Sequence, residues 1–338
     1  MKRLTAGIVG GSGYVGLELI RLLTTHPAFS LTTVTSREHV GKAVAAIHPS
    51  LDGIVELRFS ELSAALAGLD VVFLAVPHGE SMRLARLIRE ANPTLPIIDL
   101  GADFRLPAAT FEQIYGEPHA APELLSGACY GTPELTPAAV GATKLLANPG
   151  CFAHCITLGL APLARAGAIA APVRITALTG SSGSGVKPTS KTHHPERNDS
   201  LSAYQVLTHR HTSEIEQALS TVSPISIELV PLSGPFSRGI FATSFVTLRD
   251  SGFRVHDLYA AFAAEHHFIR LREETPRLID VRGSNFCDLA VHQRGAEVVI
   301  LSAIDNLGKG AAGNAVQCAN LMFGLPAGTG LTTLPLVP

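Results

Sequence analysis

Two kinds of hydrophobic pattern alternate along the first part of the chain. Short, largely apolar runs predict strands, whereas apolar residues repeated every three or four positions predict helices. The predicted strands cover residues 3–9, 31–35, 71–76, 96–100 and 144–147, and the predicted helices cover 14–23 and 80–90. This alternation predicts an α/β fold with a Rossmann-type, doubly wound parallel sheet that carries helices on both faces.

The pattern changes after residue 150. Beyond a helix over 152–166, the longer strands predicted at 173–178, 226–231, 240–248 and 297–303 are typical of a mixed or antiparallel sheet. Helices over 152–166 and 255–265 are expected to cover this sheet, and the last helix spans 311–323. We therefore expect a first domain over 1–150 and a second, α+β catalytic domain over 151–310. The polar stretch 180–198, rich in Gly, Ser and His, is interpreted as a functional loop.

Composition narrows the possible partners and the compartment. The chain has 338 residues, 46% of them hydrophobic, and a formal net charge of −2. Neither a nucleic acid nor a membrane surface is an expected partner, because no basic patch or apolar run of membrane length is present. The N-terminus passes directly into a strand-like run and does not resemble a signal peptide. Five cysteines without framework spacing favour a reducing cytoplasm over a disulfide scaffold.

A glycine-rich segment, GGSGYVG at 10–16, links the first predicted strand to the first helix. Glycines in this position permit a tight turn, close approach of a phosphate and close packing of the helix on the strand. The pyrophosphate of a dinucleotide would rest on the helix N-terminus. The spacing departs from the usual Gly-x-Gly-x-x-Gly, and a plain tight turn is the alternative. The candidate cofactor contacts here are Gly10, Ser12, Gly13, Tyr14, Val15 and Gly16.

Two further loops at strand ends are candidates for cofactor binding. Ser36 and Arg37 follow the second predicted strand, where NAD-binding proteins place an acid; a hydroxyl and a guanidinium instead suit the 2′-phosphate of NADP. The alternative is an exposed arginine at a strand end. Pro77 and His78 end the 71–76 strand at the edge of the sheet where ligands bind in such folds, although His78 could equally be a hydrogen-bonded loop histidine.

Cys151 is the candidate nucleophile because it opens the apolar helix at 152–166. The positive end of the helix dipole favours a thiolate there, and the unpaired backbone N–H groups could stabilise an oxyanion. The alternative is a small hydrophobic residue that caps a core helix. The other four cysteines are expected to be ordinary buried thiols; they are Cys129, Cys155, Cys287 and Cys318.

Two histidines flank an arginine ahead of a helix predicted over 213–219, whose N-cap would be Thr212 or Ser213. His209 or His211 could act as general base for the thiol, and Arg210 could bind an anionic substrate group. Zinc ligation together with Cys151, or with the histidine pair at 193–194, is an alternative, but typical ligand spacing is missing and no metal is expected.

Arg105 and Arg238 are candidate ligands for a carboxylate or phosphate, with a surface or interface ion pair as the alternative for each. Arg105 follows the strand predicted at 96–100, and Arg238 precedes the strand predicted at 240–248.

Taken together, these motifs resemble the N-acetyl-γ-glutamyl-phosphate reductase family, within the semialdehyde-dehydrogenase-like group. They occur in the family's order along nearly the whole chain: GGSGYVG at 10–16, TSR at 35–37, PHG at 77–79, DLGADFRL at 99–106, NPGC at 148–151, SGSG at 182–185, HRHT at 209–212, SRG at 237–239 and DNLGKG at 305–310.

The resemblance implies an NADPH-dependent reductase of arginine biosynthesis that converts N-acetyl-L-glutamyl 5-phosphate, a small acyl phosphate, to the semialdehyde. It implies Cys151 as nucleophile, favours His209 as base, and brings the Asn306 segment to the nicotinamide. It also implies a C-terminal helix, within 311–338, that completes the NADP-binding domain, and a cytoplasmic homo-oligomer, a dimer or tetramer, assembled through 151–310. The remaining implied contacts are Ser182 and Gly183 with the cofactor and Asn148 and His211 with the substrate.

One segment departs from the arginine-pathway pattern. THHPER at 192–197 looks similar to relatives that reduce aminoadipyl phosphate on a small acidic carrier protein. The NPGC motif fits the arginine-pathway form, so the carrier-bound aminoadipyl or glutamyl phosphate is the alternative substrate. A zinc-dependent hydrolase and a non-catalytic NADP-binding regulator are the more distant alternatives.

Overall fold

A computed structural model describes residues 3–62, 66–220 and 224–337. The chain divides into two compact units. The first comprises Met1–Pro149 and Ala311–Thr332, and the second comprises Gly150–Gly310 and Thr333–Pro338.

The first unit contains a parallel sheet, seven-stranded over the described residues, with the order β3-β2-β1-β4-β5-β7-β6. Chain order reverses at β1, which lies between β2 and β4, so β1 marks the topological switch point of the sheet. The strands are β1 (Leu4–Val9), β2 (Phe29–Thr35), β3 (Phe59–Ser60), β4 (Val71–Leu74), β5 (Ile97–Asp99), β6 (Ala128–Tyr130) and β7 (Leu145–Ala147).

The central strands of this sheet are apolar because both of their faces are covered. All four residues of β4 are buried, as are those of β5 and β7. The helices between the strands are α1 (Tyr14–Thr24), α2 (Val44–Ile47), α3 (Ser81–Ala91), α4 (Ala108–Tyr115) and α5 (Pro137–Ala142).

The second unit contains a mixed sheet, also seven-stranded over the described residues, with the order β12-β13-β14-β11-β8-β10-β9. The pairs β8–β10 and β12–β13 are parallel and the others antiparallel. The strands are β8 (Ile169–Thr179), β9 (Ser202–Ala203), β10 (Ile227–Ser233), β11 (Ile240–Leu248), β12 (Ile269–Leu271), β13 (Cys287–Arg294) and β14 (Glu297–Ile304).

One face of this second sheet is covered by helices, as the sequence predicts. Helix α6 (Cys151–Arg165) packs on β11 and β14 and is buried along almost its whole length. Along β11 the side chains alternate between the buried face and the opposite one, where Phe245 is 49% exposed. The other helices of this unit are α7 (His194–Arg197), α8 (His211–Leu219) and α9 (Val255–Glu265), and α9 packs on α6, β12 and β13.

The predicted fold class is confirmed, and the differences are local. Helix α8 begins at His211, so Thr212 and Ser213 lie inside its first turn, and the predicted cap at either residue is wrong. The final helix, α10 (Gly313–Met322), is preceded by a π-helical turn at Gly308–Ala312. The sequence of this turn, GKGAA, did not predict it. The sequence predicted that residues 311–338 belong to the first unit, but only Ala311–Thr332 do. Hydrogen bonds join Leu336 to Arg282, which belongs to the second unit.

Within the described ranges, no helix is both long enough and apolar enough to cross a membrane.

Candidate functional site

The glycine-rich loop lies between the ends of β2 and β4. The N–H groups of Gly10 and Gly11 both donate to the carbonyl oxygen of Thr35, at the end of β2. Gly10 has a φ of +89°, and a side chain there would collide with the carbonyl of Ala75, just beyond β4. A Cβ on Gly16 would lie 2.6 Å from the carbonyl oxygen of Gly10, so helix α1 can pack this closely only with glycine. These positions have the conformations that a dinucleotide-binding turn requires.

The start of α1 has the features of an anion site. Gly13 is the N-cap residue; it offers no side-chain cap, and a Cβ there would meet nothing within 4 Å. The first turn thus has no side-chain cap and open space beside Gly13, which suits a pyrophosphate bound to its N–H groups. Ser12 accepts a hydrogen bond from the hydroxyl of Ser36 at 3.1 Å, which ties the loop to the end of β2. The residues present therefore fit a dinucleotide. Tyr14 and Val15 open the helix, and the Tyr14 side chain is partly exposed.

The exposed Arg37 side chain is held in an ion pair with Glu80. Its two terminal nitrogens donate to the carboxylate of Glu80, at 3.1 and 2.6 Å. Both side chains are partly exposed, at 78% for Arg37 and 30% for Glu80. Hydrogen bonding within the pair raises the pKa of Arg37 and lowers that of Glu80.

A buried carboxylate organises the loop that contains Pro77 and His78. Asp103 accepts hydrogen bonds from the N–H groups of Gly79 and Met82 and from the hydroxyl of Ser81, and so caps α3. His78 itself is exposed and lies against the Tyr115 ring, with centroids 5.2 Å apart. The sequence offers no sign of this capping role, because Asp103 lies far from α3 along the chain.

Asp99 lies at the end of β5 in the same network. Burial, with Asp103 nearby as a second cause, raises the pKa of Asp99 to about 7. Its Oδ1 accepts the N–H of Gly101 at 2.8 Å. The predicted anion ligand Arg105 is buried and donates to the carbonyl of Leu100 at 3.0 Å, so part of its guanidinium serves the local loop.

In the second unit, Cys151 is the first residue of α6. Gly150 is the N-cap residue in an extended conformation and supplies no side-chain cap. Cys151 is partly exposed, whereas Cys155, one turn later, is fully buried, and burial raises its pKa to about 12. All five cysteines are free; three of the four predicted to be buried are so, and Cys129 is half-buried. Position and exposure therefore distinguish Cys151 from its neighbour.

Two imidazoles adjoin the start of α6, as predicted from the sequence. The Phe152 ring lies edge-on to both, with centroid distances of 5.5 Å to His209 and 6.2 Å to His211. The His211 ring also lies so close to Gly150 that any side chain at Gly150 would collide with its Nε2. The fold therefore places His209 and His211, which are distant in sequence, against the residues before and after Cys151.

The two histidines have different surroundings. The Nδ1 atom of His209 accepts the backbone N–H of His211, and burial lowers the pKa of His209 to about 4, with Arg210 as a second cause. His211 instead faces a carboxylate, with 3.8 Å from its Nε2 to Oε1 of Glu214. The other oxygen of Glu214 accepts the N–H of Gly150 at 2.9 Å. Arg210, between the two histidines, is exposed.

Glu214 is a candidate that the sequence analysis missed. It is 1% exposed, and it links the His211 ring to the residue before Cys151. The available signal was the spacing of three residues between His211 and Glu214, which places both on one face of a helix. That signal was hidden because the helix was predicted to begin after His211.

Arg238 belongs to an internal network, and its contact with the substrate stays a prediction. Its guanidinium forms a two-pronged pair with Asp305, with bonds of 2.9 and 2.8 Å. Asp305 is fully buried and needs a counter-charge, and it also accepts the N–H groups of Gly283, Leu307 and Gly308. The ion-pair alternative holds for Arg238.

Asn306 is held by the same region of the second unit. Its Oδ1 accepts the N–H of Gly239 at 2.8 Å, and its Nδ2 donates to the hydroxyl of Ser182 at 3.0 Å. Gly183 follows in the short turn Ser181–Ser184. The structure thus brings together the predicted cofactor contacts Ser182, Gly183 and Asn306.

Asn148 has a structural partner in the first unit. It is buried, and its Oδ1 accepts the side-chain N–H of Asn314 in α10 at 2.9 Å. A positioning role therefore fits Asn148 better than direct substrate contact.

The contacts of the 192–197 segment are structural, and the described residues do not form a zinc site. Arg197 donates to the hydroxyl of Ser233 and the carbonyl of Gly234, so its guanidinium anchors the segment to the end of β10. His193 and His194 are near the start of the one-turn helix α7. Over the described ranges, no group of three or more His, Cys, Asp or Glu residues is placed to hold a metal.

Sequence comparison gives matches over both units. The profile for the semialdehyde dehydrogenase NAD binding domain matches residues 5–143, and that for the semialdehyde dehydrogenase dimerisation domain matches 151–306. Curated N-acetyl-gamma-glutamyl-phosphate reductases are similar over nearly the full length. Those from Laribacter hongkongensis and Acidithiobacillus ferrooxidans are each 44% identical, covering 99% of this chain and 100% of the relative. The one from Methanothrix thermoacetophila is 43% identical, covering 96% and 97%.

Solved structures show the same fold at much lower identity. Aspartate semialdehyde dehydrogenase II from Vibrio cholerae, complexed with ASA, superposes with a TM-score of 0.73 at 17% identity, over 96% of this chain and 99% of that one. Aspartate semialdehyde dehydrogenase from Candida albicans, solved with NADP, gives 0.72 at 16% identity, over 95% and 99%.

Proposed function

Because the chain belongs to the semialdehyde dehydrogenase family, within the N-acetyl-gamma-glutamyl-phosphate reductases, we propose that it reduces N-acetyl-L-glutamyl 5-phosphate to N-acetyl-L-glutamate 5-semialdehyde with NADPH, in arginine biosynthesis. Family membership confirms the resemblance seen in the sequence, the oxidoreductase class and the use of an NAD(P) cofactor. The substrate, the preference for NADP and the covalent route are parts of the proposal.

The observation that carries the proposal is the placement of Cys151. It is a partly exposed thiol at the uncapped start of a buried helix, and it adjoins the His209 and His211 region. The helix dipole stabilises the thiolate, and the first-turn N–H groups are oriented to stabilise an oxyanion. Gly310 adds a close backbone approach, since a Cβ there would lie 3.1 Å from the Cβ of Cys151.

In the proposed reaction, the Cys151 sulfur attacks the acyl carbon, the carbon–oxygen bond to phosphate breaks, and inorganic phosphate leaves as a thioester forms. NADPH held at the glycine-rich loop would supply the hydride that reduces the thioester carbonyl carbon. The resulting thiohemiacetal anion is held at the start of α6. Collapse of this anion breaks the carbon–sulfur bond, releases the semialdehyde and regenerates the thiolate.

We assign to His211 the removal of the proton from the Cys151 thiol before attack, with His209 as the alternative. Both lie in the Cys151 region, but only His211 faces a carboxylate, with its Nε2 3.8 Å from Oε1 of Glu214. Burial lowers the pKa of His209 to about 4, which makes it a weak base for a thiol. Glu214 would orient the His211 ring and also hold the backbone before Cys151.

The first unit would bind the cofactor through the glycine-rich loop, Ser36 and the loop 77–79. Arg37 would read the 2′-phosphate, because no carboxylate of the 35–37 segment is available for an NAD ribose. Arg105 and Arg210 remain proposed contacts for the anionic substrate, and Ser182, Gly183 and Asn306 remain proposed contacts for the cofactor.

The outer face of the second sheet would serve self-association. Phe245 pairs with Val299 on the face opposite α6, and the matching profile is described as a dimerisation domain. An exposed aromatic side chain on a sheet face is a candidate for burial between two copies of the chain. Five free thiols suit a reducing, cytoplasmic setting. Sedimentation of Phe245→Glu, which should dissociate the oligomer, tests the interface.

The decisive experiment compares substrates. Free N-acetylglutamyl phosphate should support NADPH oxidation with stoichiometric release of phosphate, while aminoadipyl phosphate on an acidic carrier protein should not. Activity only with the carrier-bound substrate would establish the alternative. NADPH binding without turnover on either would favour a non-catalytic regulator, and metal-dependent hydrolysis would favour the zinc enzyme.

A further inference from the structure

The Arg37–Glu80 ion pair lies across the cofactor edge of the first sheet. Arg37 follows β2, and Glu80 follows β4 as the N-cap residue of α3. Strands β2 and β4 are the two neighbours of β1, and the glycine-rich loop follows β1. The pair therefore joins the two sides of the switch point, where open α/β sheets bind their ligands.

The geometry of this pair is that of a guanidinium already engaged with an oxyanion. Both terminal nitrogens of Arg37 point at the two oxygens of Glu80. This fork is the arrangement with which arginine also binds phosphate. A phosphate that arrives at Arg37 must therefore displace the carboxylate or share the guanidinium with it, and the two anions repel each other.

We propose that Glu80 is a cofactor-selectivity residue of this enzyme: it competes with the 2′-phosphate of NADPH for Arg37, and it offers a carboxylate acceptor to the ribose hydroxyl of NADH. The proposal rests on the assignment of Arg37 to the 2′-phosphate. In this proposal, the acid that binds the NADH ribose is Glu80, which follows β4, because the segment 35–37 at the end of β2 contains no acid.

Two other acidic residues of the first unit serve as matched controls. Glu123 forms an exposed, two-pronged pair with Arg86, at 2.9 and 3.0 Å, but this pair includes neither the end of β2 nor the glycine-rich loop. Glu38 is adjacent to Arg37 in the sequence, is exposed, and tests whether any negative charge at this edge has the same effect.

The experiment is a fluorescence titration of NADPH and NADH with wild-type enzyme, E80Q, E123Q and E38Q, without substrate. E80Q should bind NADPH about threefold to tenfold more tightly and NADH more weakly by a similar factor, because contacts between exposed charges are weak. The NADPH/NADH preference should therefore rise by at least about tenfold. E123Q and E38Q should keep the wild-type preference.

Several results would overturn the proposal. Weaker NADPH binding by E80Q would mean that Glu80 positions Arg37 and does not compete with the phosphate. An unchanged preference, or an equal change in E38Q, would remove the specific role. Thermal unfolding of each variant verifies that the fold is intact, and E80D, which keeps the charge but shortens its reach, should fall between wild type and E80Q.

The double variant R37A/E80Q separates this proposal from the proposed function. In an R37A background, E80Q should still weaken NADH, because the ribose contact does not need Arg37, but it should no longer tighten NADPH. If R37A weakens both cofactors equally, the assignment of Arg37 to the 2′-phosphate fails and the proposal falls with it. Because binding is measured without substrate, lack of activity on N-acetylglutamyl phosphate does not affect the result.

Discussion

The cofactor edge of the first unit and the thiol region of the second unit are built in different ways. At the cofactor edge, an exposed ion pair and a glycine turn occupy loops that directly follow strands. Around Cys151, the two histidines and Glu214 are buried, and Glu214 is 1% exposed. Exposed charges are screened and contribute little energy each, whereas a buried charge that loses its partner is costly. Substitutions should therefore have graded effects at the cofactor edge and severe effects around the thiol.

The largest effect is expected for Cys151→Ser. Turnover should fall by about a thousandfold or more, because a serine hydroxyl has almost no anionic fraction near neutral pH. NADPH binding and the unfolding temperature should be nearly unchanged. Cys155→Ser is the matched control from the same helix and should keep most activity. Retention of more than about a tenth of turnover by Cys151→Ser would refute the nucleophile assignment.

Glu214→Gln and His211→Asn should come next. Each should lower kcat by about a hundredfold and alter the pH profile, because a positioned acid–base group contributes on this scale. His209→Asn should leave the shape of the pH profile between about 5 and 8 unchanged, because this histidine is already neutral there. The measurement is kcat of each variant as a function of pH, which shows which histidine transfers the proton. If His209→Asn shifts the profile and His211→Asn does not, the roles are reversed.

The buried His209 also predicts how stability depends on pH. Its folded-state pKa of about 4 lies below the ordinary value of 6.5, so the unfolded chain binds a proton first. Its contribution is therefore present above about pH 6.5 and is lost as the pH falls towards 4. His209→Asn should reduce this acid-side loss by about 3 kcal/mol, measured by urea unfolding at several pH values. A parallel pH dependence in both proteins would contradict the prediction.

Arg37→Ala should have the smallest effect of the four. NADPH affinity should fall by about tenfold, as expected for loss of one charge-assisted contact, and NADH affinity should change little. Fluorescence titration at two salt concentrations measures both, and the difference between the cofactors should shrink at high salt. Equal losses for NADPH and NADH would show that the exposed edge does not discriminate between them.

Much of the fold could be predicted from local patterns. The runs at 71–76 and 240–248 identified β4 and β11 because buried and half-buried strands have different hydrophobic periods. Short edge strands such as β9, with two residues, have too few positions to show a period. The start of α8 was misplaced because Thr212 and Ser213 are common cap residues, whereas here Arg210 holds that position without a side-chain cap.

The candidate site also contains features that local sequence patterns predict and features that they do not. The glycine turn and the thiol at a helix start could be predicted from the sequence, because each is a local arrangement of residue types. The fold brings the two histidines, distant in sequence, to the start of that helix. The pairing of Glu214 with His211, of Asp305 with Arg238 and of Glu80 with Arg37 became visible only in the folded structure. Apart from the first, these pairs join residues far apart in the chain. Local periodicity carries no information on which charge meets which, since that depends on how the strands are ordered in the sheet.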